Sequence, residues 1–407
     1  MRARLVVAIG VILAALGAPS TALASGPAIQ LSPSSLVFGA QNPEGPFPSQ
    51  TFTVTNSGDA TLVISSVTIV GATPPETFDY TQTNNCYPFP RALAPGESCA
   101  ITVGFFPSGY GVRNAAVQIS DNAGGSPQQV PVTGYSYPFK AIYTLDGYGA
   151  LHPENPVSPV MTGTAYWPGW KIARAAALLS DARGGYTLDG FGGLHQFGSA
   201  PPAVGAAYFG WDIARDVVLL PGSSSTHAAG YVLDGYGGLH AFGGAPSAVG
   251  AAYWNAWDIA RKVNLLPDGT GGYVMDGWGG LHPFAVGTNA MPRGITDSAY
   301  WPHWSIARDF SLFSNSTASA PAGVTLDGYG GVHAFGFSAA PGQLDGAYWP
   351  GWNIARSVRV NPTSTASTPA GWVLEGFGGI HSFAGAHPLP PGAYWGWDIA
   401  VELVVVR

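Results

Sequence analysis

"GYVLDGYGGLHAFGG", Gly230 to Gly244, sets an aspartate, a tyrosine, three closely spaced glycines and a histidine between two apolar runs. The string returns across the C-terminal two thirds of the chain as YTLDGYGALH, YTLDGFGGLH, YVLDGYGGLH, YVMDGWGGLH, VTLDGYGGVH and WVLEGFGGIH. Its acid falls at Asp146, Asp189, Asp234, Asp276, Asp327 and Glu375, with successive spacings of 43, 45, 42, 51 and 48 residues. A second motif follows each copy: AYWPGWKIAR, AYFGWDIAR, AYWNAWDIAR, AYWPHWSIAR, AYWPGWNIAR and AYWGWDIAV.

A repeat of that length is the length of one β-propeller blade. "ARDVVLLP", "GYVLDG" and "LHAFG" read as three strands, and the stretch ending in "AYW" as a short fourth. Gly-aromatic-Gly-Gly joins the second and third as a tight hairpin, in which glycine supplies the positive φ. The first copy has no "ARxVxLL" strand before it, while the chain closes on "AVELVVVR", a spare strand of that type. The expectation is a six-bladed propeller over 137–407, its first blade completed by the C-terminal strand so that no open edge remains. Two β-trefoils would leave that strand unexplained, and a solenoid would need distinct capping repeats. The units also resemble the "AYWPGWDIAR…LDGFGGLH" repeats of exported actinobacterial and related bacterial proteins. That resemblance implies architecture and no particular activity.

Acid and histidine are always six apart: Asp146/His152, Asp189/His195, Asp234/His240, Asp276/His282, Asp327/His333 and Glu375/His381. With a three-residue loop of aromatic-Gly-Gly they stand opposite each other on one face of the hairpin. A two- or four-residue loop would put them on opposite faces. The first geometry predicts a structural cross-strand hydrogen bond in every repeat. Catalysis or metal binding is the weaker reading, because a site repeated six times about an axis does not converge on one ion.

Arg174, Arg215, Arg261, Arg308 and Arg356 end the second motif, with Val401 in the sixth; each arginine is expected to pin neighbouring blades. Most tryptophans lie in the AYWxxW segments and read as wedges between blades. The hairpin tips are all aromatic: Tyr148, Phe191, Tyr236, Trp278, Tyr329 and Phe377. Turns usually carry polar residues, so these six are the candidate ligand-binding residues, as stacking platforms.

Residues 27 to about 136 contain no copy of the repeat. Ser35–Phe38, Thr51–Thr55, Thr61–Ile69, Cys99–Phe106 and Ala115–Ser120 read as short strands separated by turn signals such as Asn56-Ser57-Gly58-Asp59, which suits an antiparallel β-sandwich. "LSPSSLVFGAQ", "FTVTNSGDATLVISSVTI" and "CYPFPRALAPGESCAITVGFFPSGYG" resemble the Hydin-type (ASH, or choice-of-anchor D) immunoglobulin-like domains. The resemblance implies a spacer or interaction module without catalytic residues.

Arg2 and Arg4, the apolar run Leu5–Leu16 and Ala22-Leu23-Ala24 read as a secretory signal peptide. The expected domains are a signal peptide over 1–24, an Ig-like sandwich over 25–136 and the repeats over 137–407. In an exported chain Cys86 and Cys99 are expected to form one disulfide, worth roughly 3 kcal/mol on the chain-entropy account. Without the leader, 14 basic residues face 23 acidic ones, a net charge of −9, which argues against nucleic acid and anionic membranes.

No nucleophile elbow, zinc motif or nucleotide loop is present, and no cofactor or metal is expected. The expected protein is secreted or cell-surface associated, does not insert in a membrane, and is a non-catalytic binder of polysaccharide or cell-surface glycan. The alternatives are a propeller enzyme acting on polysaccharide or peptidoglycan, with Asn155–Gly163 or Pro283–Ala299 (carrying Arg293 and Asp297) as its site, or a protein-interaction scaffold.

Overall fold

A computed structural model describes residues 26–41, 47–71, 79–108, 111–137, 139–154, 158–336, 343–389 and 392–406. The expected signal peptide and part of the Asn155–Gly163 loop lie outside them. The chain is all-β, with no α-helix among the described residues. It divides into two compact units. One is built from Pro48–Phe105 and Asn114–Val132 with the preceding residues to Leu36; the larger runs from Thr133 onward and takes in the segments Val37–Phe47 and Phe106–Arg113.

The N-terminal strands are β1 (Ile29–Ser32), β2 (Leu36–Gln41), β3 (Ser49–Asn56), β4 (Leu62–Val70), β5 (Tyr80–Asn84), β6 (Arg91–Leu93), β7 (Ser98–Phe105), β8 (Gly111–Asp121) and β9 (Gln128–Ser136). They form two sheets, ordered β1-β3-β7-β5 and β2-β9-β8-β4-β6. Strict alternation explains the first: Phe52 and Val54 are buried from β3, while Thr51 and Thr55 point out and meet Thr102 and Ser98 through hydroxyls at 2.8 Å. In β4 the register slips between Ile64 and Ser66, so the inward series runs Leu62, Ile64, Val67. Buried Asn56 explains the Asn-Ser-Gly-Asp turn. Its amide donates to the Ala60 and Leu93 carbonyls at 2.8 and 2.9 Å, and its carbonyl oxygen accepts from Gly58 N. Cys86 and Cys99 form the disulfide.

The repeats make six antiparallel sheets. Sheet 1 combines β10 (Ala141–Asp146) and β11 (Leu151–Pro153) with a strand from the end of the chain. Sheet 2 is β12 (Ala173–Leu178), β13 (Gly184–Asp189) and β14 (Leu194–Gly198). Sheet 3 is β15 (Ala214–Leu219), β16 (Gly230–Asp234) and β17 (Leu239–Phe242). Sheet 4 holds β18 (Ala248–Val249), β19 (Ala260–Leu265), β20 (Gly271–Asp276) and β21 (Leu281–Val286). Sheet 5 has β22 (Ala307–Leu312), β23 (Gly323–Asp327), β24 (Val332–Phe335) and β25 (Gln343–Leu344). Sheet 6 is β26 (Ala355–Val360), β27 (Gly371–Glu375) and β28 (Ile380–Phe383). The final strand, β29 (Ala400–Val406), pairs with β10 from Ala141↔Val406 to Asp146↔Ala400.

The middle strands are buried along their whole length. Both faces of each sheet are covered by neighbours, so these strands read as continuous apolar runs rather than alternating ones. Six apolar clusters lie between sheets: 1 with 2, 2 with 3, and so on, and the last brings Trp372 and Leu374 of sheet 6 against Ile142 and Leu403 of sheet 1. The expected fourth strand is a correction. Among the described residues it is a two-residue strand in sheets 4 and 5 alone, and the AYW segments are not strands.

Candidate functional site

The hairpins are built from the acid outward. Asp189 N donates to Gly193 O at 3.0 Å and Gly192 N to Asp189 O at 3.1 Å, closing a three-residue loop of Gly190, Phe191 and Gly192. Gly192 stands at φ +91°, where a side chain would also strike the Ala207 carbonyl. The expected loop was aromatic-Gly-Gly; the turn sits one residue earlier. His195 therefore pairs with Thr187, and the acid reaches it diagonally rather than from directly opposite. Both residues still share one face, since the slip moves each strand by whole pairs.

The carboxylate has two jobs. Asp189 Oδ1 accepts from Phe191 N and Gly193 N at 2.8 and 2.9 Å, and Oδ2 meets His195 Nε2 at 2.8 Å. The same acid–histidine bond joins Asp146/His152, Asp234/His240, Asp276/His282 and Asp327/His333, all at 2.7–2.9 Å. Burial pulls the Asp189 carboxyl up, but the bonds from His195, Gly193 and Phe191 outweigh it and hold it below the ordinary range. Glu375 is the exception among the six. One methylene longer, it places Oε2 on Phe377 N and Oε1 on Gly379 N, and makes no hydrogen bond to His381.

Each of these histidines receives a ring from the preceding repeat. Trp167 meets His195 edge-on at 4.9 Å, Phe209 meets His240, Trp254 meets His282, Trp301 meets His333 and Trp349 meets His381. Trp395, the last, meets His152, the first, at 4.9 Å. The first aromatic after "AY" thus acts as the expected wedge.

Its neighbours do not. The second tryptophans, Trp170, Trp211, Trp257, Trp304, Trp352 and Trp397, are 46–55% exposed. The tyrosines of the same segments, Tyr166, Tyr208, Tyr253, Tyr300, Tyr348 and Tyr394, are 46–72% exposed. The candidate platforms Tyr148, Phe191, Tyr236, Trp278, Tyr329 and Phe377 are half-buried, each within ring contact of at least one of these exposed rings. Phe191, for instance, lies 5.9 Å from Trp170 and 6.3 Å from Tyr208. Trp278 lies 5.1 Å from Trp257 and 6.3 Å from Tyr300, with His303 also at 4.9 Å. The tip rings are the floor of an aromatic band, and its exposed tryptophans depart from the expectation that they would act as wedges between blades.

The arginines occupy β-bulges: the registers of β12, β15, β19, β22, β26 and β29, the inner strands of the six sheets in that they pack on one another, skip Arg174, Arg215, Arg261, Arg308, Arg356 and Val401 in turn. A bulge re-aims its side chain, here toward the next repeat. Arg174 Nε meets Asp212 Oδ1 at 3.2 Å and Arg215 Nε meets Asp258 Oδ1 at 3.1 Å. Arg261 reaches Ser305 Oγ, Arg308 reaches Asn353 Oδ1, and Arg356 pairs with Asp398.

Four residues just after a bulge, joined by Arg359 further along β26, build a buried ionic cluster of which the sequence showed no sign. Lys262 Nζ meets Asp216 at 3.2 Å and Glu402 at 2.8 Å, while Arg359 binds Asp309 at 2.6 Å and Glu402 at 2.5 Å. Glu402 also accepts from Ala176 N, so the cluster draws on all six inner strands. Three acids face two bases. Burial, which outweighs the Lys262 ammonium, pushes Asp216 up to about 7; the carboxylates around Lys262 overcome its burial and hold it protonated.

In the Pro283–Ala299 insertion, Arg293 and Asp297 line one cavity, but Asp297 accepts from Gly336 N and no second acid lines that cavity among the described residues. No group of three metal-ligating side chains occurs among the described residues either.

Residues 27–135 match the HYDIN/CFA65/VesB-like, Ig-like domain family. No curated protein matches the chain. A protein of unknown function from Porphyromonas gingivalis is 20% identical over 29% of this chain and 50% of that one, with a TM-score of 0.23. This chain therefore spans half the length of that relative. The ASH/PapD-like domain of human CEP192 is 14% identical over 31% of this chain and 97% of its own, TM-score 0.21. A quinonprotein alcohol dehydrogenase-like protein from Bacteroides thetaiotaomicron is 8% identical over 94% and 99% of the two chains, TM-score 0.34. Likenesses of this strength say nothing about activity.

Proposed function

We propose that the protein is an exported, non-catalytic binder in which an Ig-like spacer carries a six-bladed β-propeller, closed by β29, that holds extracellular or cell-wall carbohydrate at several equivalent positions. The pairing of β29 with β10 and the apolar cluster of sheet 6 with sheet 1 support closure. The observation that carries the binding is the band of twelve exposed aromatic rings, two per repeat. A soluble protein rarely leaves so much aromatic surface in water without a partner. Exposed rings suit the apolar faces of sugars, and sixfold repetition favours a repetitive polymer through avidity, with weak single sites.

A polysaccharide pull-down and glycan array with the full chain tests this. Replacing Trp170, Trp257 and Trp352 by alanine together should lower retention on the bound polymer by roughly 100-fold or more, the scale over which avidity acts. Retention unchanged in that triple variant defeats the reading.

A further inference from the structure

Five inter-repeat contacts put an arginine on an acceptor of the next repeat; the sixth, between sheets 1 and 2, has neither. Val401 stands where the arginine would be, and Lys171 stands where Asp212, Asp258, Ser305, Asn353 and Asp398 stand in the others. The two changes go together, since an arginine at 401 would face the Lys171 ammonium. Lys171 takes over one task of the missing guanidinium. Each arginine donates to the carbonyl three residues before it, as Arg174 does to Lys171 O, and here Lys171 Nζ donates to Asp398 O at 2.6 Å.

The space the guanidinium would fill is left open. A cavity of about 310 Å³ is lined by Gly147, Lys171, Arg174, Arg356, Asp398 and Val401, with the small side chains Ala173 and Ala400 beside them. That is the lower end of ligand-pocket size, enough for one sugar ring or a short acid. Arg174 and Arg356 are already held by Asp212 and Asp398. Lys171 makes no ion pair among the described residues, and two of its three donors remain for a ligand.

We infer that this cavity, formed once in an otherwise sixfold molecule, binds a small monocarboxylate of about uronic-acid size, its carboxylate on Lys171 and its body against Val401. A single uncompensated ammonium matches a single negative charge. A dianion such as phosphate would face the Asp398 carboxylate in the same cavity and is disfavoured. No ring of the aromatic band lines this cavity, although Trp170 and Trp397 adjoin Lys171 and Asp398 in the chain.

The probe is D-glucuronate, titrated into the full chain and followed by calorimetry or NMR, with D-glucose as its neutral counterpart and inorganic phosphate as competitor. Saturable, salt-sensitive glucuronate binding is expected, with no saturation by glucose and weaker competition by phosphate. Lys171→Met should weaken binding roughly tenfold, as loss of a charge-assisted bond does. The double variant Val401→Arg with Lys171→Asp restores the repeat pair, fills the cavity and should abolish binding with melting temperature and circular dichroism unchanged. If that variant does not fold, Lys171→Met decides alone. No saturation in the native chain, equal binding of glucose, or binding that survives these substitutions overturns the site; phosphate competing as strongly as glucuronate overturns its ligand class. The triple tryptophan variant should bind glucuronate normally, so failure of the polymer reading and failure of this site are told apart.

Discussion

Asp234 places one carboxylate oxygen on Tyr236 N and Gly238 N and the other on His240. Asp234→Ala strands two backbone donors in a tight loop and unties the ring that receives Phe209. A loss of about 1–3 kcal/mol is expected, read as a lower urea midpoint at unchanged slope. The reverse holds at the irregular copy: Glu375→Asp should regain the histidine bond and add about 0.5–1.5 kcal/mol. The pH sign follows from the Asp189 carboxyl lying below its ordinary value. Its contribution is complete above the unfolded carboxylate pKa and disappears as pH falls through the lowered folded one. Asp189→Asn should therefore flatten the acid limb of the stability curve below about pH 4.

At the scale of the strand, the bulge is what makes an arginine useful. In a regular strand that side chain would point into its own sheet's neighbour space; skipped by the ladder, it leans to the next repeat. Arg215→Ala should cost only about 1 kcal/mol, because Asp258 and Asp212 are both more than two-fifths exposed and the pairs are screened. A measured loss several times larger would mean that the bulge itself collapses without the guanidinium. The AYWxxW segment divides its two rings by the same logic: the first is fixed by a backbone bond such as Trp254 N to Tyr236 O at 2.7 Å and pressed on a histidine, the second is left in water. Truncating Trp254 should destabilise by about 2–4 kcal/mol, whereas truncating Trp257 should leave the melting curve within about 0.5 kcal/mol.

For the molecule as a whole, β29 and the ionic cluster decide. Deleting residues 400–407 strips β10 of one of its two partners, removes buried Leu403 and leaves Lys262 and Arg359 without Glu402. The truncated chain should lose cooperative unfolding and aggregate; a soluble, cooperatively unfolding monomer by size exclusion and calorimetry would contradict the role given to that strand. The cluster also sets a pH slope. The unfolded chain ionises Asp216 near the ordinary carboxylate value, while the folded one holds its proton up to about 7, so stability is fully present at acid pH and falls between about pH 4 and 7. Buried Glu154, pushed up to about 7 by desolvation, acts with the same sign. Asp216→Asn keeps an acceptor for Val263 N and should make this part of the curve shallower.

Period, strand content and hairpin chemistry were legible in the residues because they are local. Asp-Gly-aromatic-Gly-Gly specifies a tight turn wherever it occurs, and the two cysteines, thirteen apart, form the single disulfide expected of them. The side-by-side acid and histidine were legible too, though not the one-residue placement of the turn, which depends on where the same repeat's own wedge, Phe209, lands against Gly192. The remaining features belong to the tertiary structure. Two tryptophans three positions apart in one motif meet opposite fates, since burial is set by the neighbouring sheet and not by residue type. Asp216, Lys262, Asp309, Arg359 and Glu402 are scattered along the sequence, up to 186 residues apart. They become one cluster because the six bulged strands draw together, Glu402 of the last reaching Ala176 N of the first.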